Sequence, residues 1–571
     1  MSKRKTERSQ RILDYADRSP DLAGPDIFAR IRHPSLRARL ITFLVIWALS
    51  SVYFTASTVI HGRDLLPKSH DEHSYAIQTQ MLAHGKLWMA QHPLADFFES
   101  FQMLAKPVYA SIYFPGSALM YVPGVWLGLP PWVMPVIVAG LGVALTYLLA
   151  LRLIDGLWAI VAVLLAIGCH WMRMNATLVM SQSPMMVLGL GMLLAWLKWR
   201  ETKQIRWAAL IGACAGWAAI VRPVDALAFA IPIGVAMLLD LRGMPIKRIA
   251  MTCGVVILAA LPFLSLQLAF NRGVTGSFAT APHTLYLDTD QPDTTYGFHL
   301  YKPDAKPQST LPQKVVYYRN FMLPDVKRHQ PENLLSNAWE RLKLTADVSL
   351  PTPLLLIFAL AALFALRDAP RRVVAVIPLV FFLLYLPYTF YMEHYLVAIS
   401  PPMIVLIVLG AARLASWWKQ PMLRAKAERA VVIALVLVAL ASLPEVNPRV
   451  RDDLIFGPTS TILRRAIRER VQAPAVVLVR YHVSENPHDE PVYNDSVAYP
   501  DDADVIVAHD LGARNVELLD YYERTQPGRR YYLFDRSGFQ LQGPGTAADL
   551  ARAISKAQAT SAPSATQPAT P

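Results

Sequence analysis

The sequence has 571 residues, of which 54% are hydrophobic and 17% are charged, and its mean hydropathy is +0.31. Soluble domains carry about 25% charged residues, so this composition excludes a soluble enzyme, a disordered protein and a nucleic-acid-binding module. The formal net charge of +13 therefore indicates contact with an anionic lipid surface. The three cysteines all lie in apolar segments, which leaves no disulfide framework and no metal-binding cysteine spacing.

A polar, basic arm (residues 1–39) precedes an apolar run from Leu40 to Ile60. The run is longer than the ~7–15-residue core of a signal peptide, so it predicts a first membrane span with the arm in the cytoplasm. Apolar composition predicts further spans near 132–152, 156–171, 178–198, 206–221, 224–240, 248–269, 350–366, 372–390, 396–413 and 429–444. We therefore expect an all-α polytopic membrane domain over 40–444 with about eleven transmembrane helices.

The segment 114–129 is apolar but interrupted by two prolines and two glycines. If it does not span, the Lys and Arg residues of the short loops between later spans face the cytoplasm; if it spans, they all face outward. The positive-inside rule favours the first arrangement. We therefore expect a re-entrant or interfacial segment, and two large outer loops at 61–131 and 271–347.

The chain changes character after about residue 444. Residues 475–481 and 503–508 predict buried strands, 531–534 a third strand, and 515–525 a helix between them. This pattern predicts a small extracytoplasmic α/β domain over 445–543. Residues 544–571 are rich in Ala, Ser, Thr and Pro, which is typical of a disordered tail.

The first outer loop contains Ser69 and Glu72 at the spacing of a helix-capping box, with Gly85 suited to a helix end. A helix is therefore predicted from about His70 to His84. Capping explains Glu72 fully, but it explains Asp71 only in part, as an acid favoured by the helix dipole. Asp71 is thus the candidate for chemistry.

Further motifs follow in order along the chain: Tyr113-Phe114-Pro115-Gly116, a Gly/Ala-rich span ending in Arg222-Pro223, and Tyr391–Tyr395 followed by Pro401-Pro402. Together with Asp71, Glu72 and Tyr75 they resemble the GT-C superfamily of membrane glycosyltransferases. Within it they are similar to the branch of protein O-mannosyltransferases and the lipid A aminoarabinose transferase. The resemblance covers about residues 40–444 and not the C-terminal region.

The resemblance implies an enzyme that moves one sugar from a polyprenyl-phosphate donor to an acceptor (protein, lipid or glycan) on the extracytoplasmic face. It implies that Asp71 is the general base, with Glu72 as a helper or cap. An attacking hydroxyl must lose its proton, which suits a positioned carboxylate. The departing lipid phosphate needs cations nearby.

Arg222, Lys106 and His394 are the candidate phosphate-side groups, and Arg173 is a weaker fourth. Snorkelling for Arg222, solvation for Lys106 and simple packing for His394 stay open as alternatives. His394 stands where the family often has Arg. Tyr75, Tyr113 and Tyr395 complete the predicted substrate-binding set.

A second departure from the family lies in the turn Met180–Pro184, where relatives often carry another acid and this chain has none. His70, Asp71 and His73 do not all share one helix face, which argues against a metal site there. No cofactor is assigned, and a divalent metal stays open.

Two alternatives to an enzyme are a lipid or sugar transporter (flippase) and a non-catalytic membrane subunit. Transporters usually place ionisable residues near the bilayer midplane, whereas most charges here fall at span ends. Because no organelle signal is apparent, a bacterial inner membrane is the expected location. The expected partners are the bilayer, the lipid-linked donor and the acceptor, and no nucleic acid.

Overall fold

The computed structural model describes residues 27–309, 311–443, 458–482, 486–546, 548, 549 and 552. Most of the predicted basic arm and nearly all of the predicted tail lie outside these residues. The N-terminal part of the helical domain contains α1 (Ile27–Arg32), α2 (Leu36–Ile60), α3 (His70–Ala83), α4 (Gly116–Trp126), α5 (Val133–Leu153), α6 (Gly156–Gly168), α7 (His170–Ala176), α8 (Gln182–Thr202), α9 (Ile205–Ala219), α10 (Pro223–Leu241) and α11 (Ile246–Thr275).

The chain continues through a second helical series before the C-terminal sheet. Its members are α12 (Pro282–Asp290), α13 (Pro312–Tyr317), α14 (Leu323–Arg328), α15 (Leu334–Val348), α16 (Leu356–Ala361), α17 (Ala369–Tyr385), α18 (Ser400–Ala415) and α19 (Pro421–Ala441). Short 3-10 turns at Pro353–Leu355 and Ala362–Ala365 extend α16 at both ends.

Every apolar segment predicted as a span falls on helix in this structure. Within the described residues, four helices are long and apolar enough to cross a membrane: α2, α5, α10 and α11. The number rises to six if each of two bent helix pairs forms one span. The molecule is therefore an integral membrane protein, but the predicted count of about eleven spans is not confirmed.

The interrupted segment 114–129 forms α4, which has 11 residues. At ~1.5 Å per residue it reaches only about half of the ~30 Å hydrocarbon layer, so it is too short to cross. Small residues allow other helices to pack closely. A Cβ added to Gly212 or Gly216 of α9 would lie within 3 Å of the α11 backbone, which accounts for the Gly/Ala-rich sequence of that helix.

The C-terminal region forms a four-stranded sheet. Its strands are β4 (Ala475–Arg480), β5 (Val505–His509), β6 (Arg530–Asp535) and β7 (Gln540–Gly545), and their order in the sheet is β5-β4-β6-β7. β4 pairs in parallel with β5 and β6, and β7 pairs antiparallel with β6. Helices α20 (Thr459–Arg470) and α21 (Asn515–Thr525) contribute to separate hydrophobic clusters against the sheet.

The outer loop 61–131 packs into this sheet. It contains three short strands of its own: β1 (Met89–Ala90), β2 (Met103–Leu104) and β3 (Val108–Ser111). Phe97 and Phe98 from the same loop are buried with Val476, Leu478 and Leu518 in one hydrophobic cluster. The sheet and the loop therefore share a core, and the expected boundary near residue 445 does not divide two independent cores.

Candidate active site

The start of α3 fixes the position of the acidic pair Asp71-Glu72. The Ser69 hydroxyl accepts a hydrogen bond from the Glu72 N–H (3.3 Å). The Glu72 carboxylate accepts from the N–H groups of Lys68 (3.2 Å), Ser69 (3.3 Å) and Val179 (3.2 Å). Glu72 is buried and does not line the cavity described below. Its carboxylate binds backbone N–H groups. Of the two roles expected for Glu72, helper or cap, these contacts match the cap.

Asp71, in contrast, lines a cavity of about 360 Å³ between the outer loop, α10, α12 and the end of α17. Tyr75, Tyr113, Arg222, His394 and Tyr395 of the predicted set line the same cavity. The Tyr113 hydroxyl hydrogen-bonds to the Asp71 carboxylate. Burial raises the pKa of Asp71, while the Tyr113 hydrogen bond and the Arg222 charge lower it in part.

Gly116 connects the segment that carries Tyr113 with the turn that carries Arg222. Its N–H donates to the Ile220 carbonyl (2.7 Å), and the Trp217 indole N–H donates to the Gly116 carbonyl (2.8 Å). A Cβ at Gly116 would lie 2.5 Å from the Ile220 oxygen, so only glycine permits this approach. The two sequence motifs are therefore neighbours in space.

Arg222 caps α10 and is held on several sides. Its guanidinium donates to Asp225 (2.7 Å), to the Tyr385 hydroxyl (2.9 Å) and to the Ser181 hydroxyl (3.3 Å). It also lies 4.2 Å from the centre of the Tyr395 ring. These contacts fix the position of the Arg222 guanidinium at the wall of the cavity.

Asp225 is a site residue that the sequence analysis missed. It is fully buried, lines the cavity and accepts hydrogen bonds from Arg222 and Tyr385. The turn before α8 contains no acid, and its Ser181 hydroxyl accepts a hydrogen bond from Arg222. The available signal was an acid three residues after Arg222, one helical turn into an otherwise apolar segment.

His394 and the unpredicted His283 both line the cavity. Burial, together with the nearby Arg222 charge, lowers the pKa of His394 to about 3 and that of His283 to about 4. Both imidazoles are therefore neutral near pH 7. His394 lies where the sequence predicted it, but it adds no positive charge.

Two predicted cations do not reach the cavity. Lys106 is exposed and pairs with Asp96 at 2.6 Å, and it does not line the cavity. Arg173 is buried and donates to the carbonyls of Ile167 (3.2 Å) and Gly168 (2.8 Å). These carbonyls lie at the bend between α6 and α7, and Arg173 does not line the cavity.

The histidines beside Asp71 contact the C-terminal region. His70 Nδ1 lies 3.0 Å from the Tyr493 hydroxyl, and His73 Nδ1 lies 2.7 Å from the Asp495 carboxylate. Across the part of the chain that the structure describes, no group of three or more His, Cys, Asp or Glu side chains could hold a metal ion.

The apolar helices and this cavity define an integral membrane protein with a charged, tyrosine-lined site. No family model and no curated protein matches the sequence. Solved structures do match. ArnT from Cupriavidus metallidurans in the apo state is 14% identical, with a TM-score of 0.44 and coverage of 86% of this chain and 92% of that chain.

The same ArnT bound to undecaprenyl phosphate is 13% identical (TM-score 0.44, coverage 80% and 85%). The Archaeoglobus fulgidus oligosaccharyltransferase in complex with Zn and sulfate is 12% identical (TM-score 0.46, coverage 79% and 61%). These proteins are GT-C glycosyltransferases, the superfamily that the sequence motifs resemble. Identities and TM-scores this low carry no argument about activity, which has to come from the residues of the cavity.

Proposed function

We propose that this protein is a GT-C-type membrane glycosyltransferase that transfers a sugar from a polyprenyl-phosphate donor to an acceptor hydroxyl on the extracytoplasmic face. One observation carries the proposal: the Asp71 carboxylate and the clamped Arg222 guanidinium line a single cavity at the ends of apolar helices. A base and a phosphate-binding cation are the two groups that this reaction requires.

In the proposed reaction Asp71 removes the proton of the acceptor hydroxyl as its oxygen attacks the anomeric carbon. The bond from that carbon to the phosphate oxygen breaks, and the polyprenyl phosphate leaves with an additional negative charge. Arg222 stabilises this charge without further reorganisation, because Asp225, Tyr385 and Ser181 already hold it. The Tyr113 hydroxyl orients the Asp71 carboxylate.

Aromatic side chains supply the surfaces on which a sugar ring can pack. Tyr75 and Tyr113 stack with ring centres 4.3 Å apart, and Tyr317 and Tyr388 line the same cavity. Such rings offer an apolar face and a hydroxyl edge, which together match the alternating apolar and polar surfaces of a sugar.

The decisive test is transfer from a labelled polyprenyl-phosphate sugar by membranes that contain the native chain or Asp71→Asn. We expect a loss of about 10²–10⁴-fold in turnover, the usual contribution of a general base. The matched control is Asp96→Asn, in the same loop but in exposed and partly exposed pairs with Lys106 and Arg514, which should retain nearly full activity. Equal transfer by the native chain and Asp71→Asn would remove the assignment of Asp71 as the general base.

A further inference from the structure

On helix α15 a row of apolar side chains is exposed and polar side chains are buried. Leu335, Trp339 and Leu342, spaced four and three residues apart, form one exposed stripe, with exposed fractions of 85%, 58% and 49%. The buried side carries the polar residues Asn337 and Arg341, with Thr345. A helix that faces water shows the opposite arrangement.

The polar side of α15 is fixed by specific contacts. Arg341 donates to carbonyl oxygens beyond the end of α17, including those of Leu386 (3.2 Å) and Tyr388 (2.7 Å). The Thr345 and Tyr391 hydroxyls lie 2.7 Å apart. Because these bonds determine which side faces the protein, α15 cannot rotate to bury its leucines and tryptophan.

The apolar stripe continues into the next helical segment. The segment Pro331–Val348 meets Pro353–Ala365 at a bend of 99°, and the two together have the apolar composition of a membrane span. The second segment exposes a further set of large apolar side chains: Leu354, Ile357, Leu360, Leu363 and Phe364. A helix at a right angle to a segment that runs along the bilayer normal lies in the membrane plane.

Charged residues follow one border of the stripe. Glu340, Lys343 and Asp347 are all exposed on α15, and the Lys343 ammonium lies 5.2 Å from the centre of the Trp339 ring. Tryptophan beside lysine is typical of the lipid–water boundary, where an amphipathic helix places charges in water and apolar side chains among acyl chains.

We infer that α15 lies in the plane of the membrane, at the lipid–water boundary on the side of the cavity. Leu335, Trp339 and Leu342 enter the acyl region, and Glu340, Lys343 and Asp347 face water. The occupant of the apolar stripe is thus the bilayer. This inference does not depend on the proposed transfer reaction.

The test places a nitroxide spin label at single cysteines in the full-length chain, after Cys169, Cys214 and Cys253 are replaced by Ala. The protein is reconstituted in vesicles of phosphatidylethanolamine and phosphatidylglycerol. Accessibility to oxygen and to a water-soluble nickel chelate is then measured at each label. Labels at 335, 339 and 342 should favour oxygen, whereas the matched controls at 340 and 343, on the same helix, should favour the chelate.

Two results would overturn the inference. Chelate access at 335, 339 and 342 equal to that at 340 and 343 would place the stripe in water. Protection from both reagents would place it against protein, such as a second copy of the chain. An unlabelled check uses brominated lipids, which should quench the native fluorescence more than that of Trp339→Phe.

Discussion

At the scale of single residues, opposing influences act on the pKa of Asp71, the proposed base. Burial raises the pKa of its carboxyl, while the Tyr113 hydrogen bond and the Arg222 charge lower it in part. A base acts only when ionised, so activity should be present above this raised pKa and lost as the pH falls through it. The measurement is kcat/KM against pH.

The variant Tyr113→Phe removes a hydrogen bond that lowers the Asp71 pKa, so it should move the acid limb of the pH profile to higher pH. Because the pKa values of His394 and His283 are lowered to about 3 and about 4, no step is expected near the ordinary histidine pKa of ~6.5. A step there that His394→Gln abolishes would contradict this assignment.

Asp225 should matter for both stability and donor binding. Replacing it with Asn removes the buried partner of Arg222, and breaking a buried ion pair costs about 3–5 kcal/mol. We expect a lower melting temperature and a higher KM for the lipid donor. Asp240→Asn at the other end of α10, which breaks a partly exposed pair with Arg200, is the control and should change both quantities less.

Many cavity residues could be predicted from the sequence, because they lie in motifs whose chemistry is not explained by burial alone. Asp71, Tyr113 and Arg222 stand beside helix starts, prolines and glycines that fix the backbone. The sequence could not show that Lys106 lies away from this cavity, because its pairing with Asp96 of the same loop is not visible in a one-dimensional pattern. Arg222 is a local partner of Asp225, three residues away, but the second partner, Tyr385, is distant in sequence and meets Asp225 only in the folded chain.

Between elements, the contact of α4 with the turn before α10 is the tightest that bears on the site. Gly116→Ala places a Cβ 2.5 Å from the Ile220 oxygen and should displace the Arg222 turn, at a cost of about 1–3 kcal/mol. We expect transfer to fall more than the melting temperature. Gly234→Ala is the control, since a Cβ there meets nothing within 4 Å and Ala favours helix.

Apolar runs predicted where helices lie, because burial in lipid requires internally bonded backbone. They did not predict bends such as the 69° break between α6 and α7, which depends on the Arg173 contacts. The sequence does not predict α15 within the 271–347 loop, because the polar side of this helix interrupts the apolar run. β7 was missed because Gln540–Gly545 contains two glycines and a proline.

For the whole molecule, the C-terminal sheet supports the outer loop that carries Asp71. Phe97 and Phe98 complete its core, and His70 and His73 contact Tyr493 and Asp495. A chain that ends at residue 443 should therefore lose folded protein and transfer activity together, as measured by size-exclusion profile and assay. Exposure of either phenylalanine alone should lower the free energy of unfolding by about 3–5 kcal/mol.

The control for that truncation ends at residue 552, beyond which the structure describes no core residue. This chain should keep the native melting temperature and activity. Full activity of the 443-residue chain would show that the loop is stable without the sheet.

The Arg341 side chain has a consequence for the cell. It ties α15 to the segment after α17, and Tyr385 at the end of α17 holds Arg222. If α15 lies at the membrane surface as inferred, a thicker or thinner bilayer that tilts it would thereby shift Arg222, the proposed phosphate-binding residue. Turnover should then respond to acyl-chain length, so the thickness of the surrounding bilayer would regulate the rate of the proposed transfer.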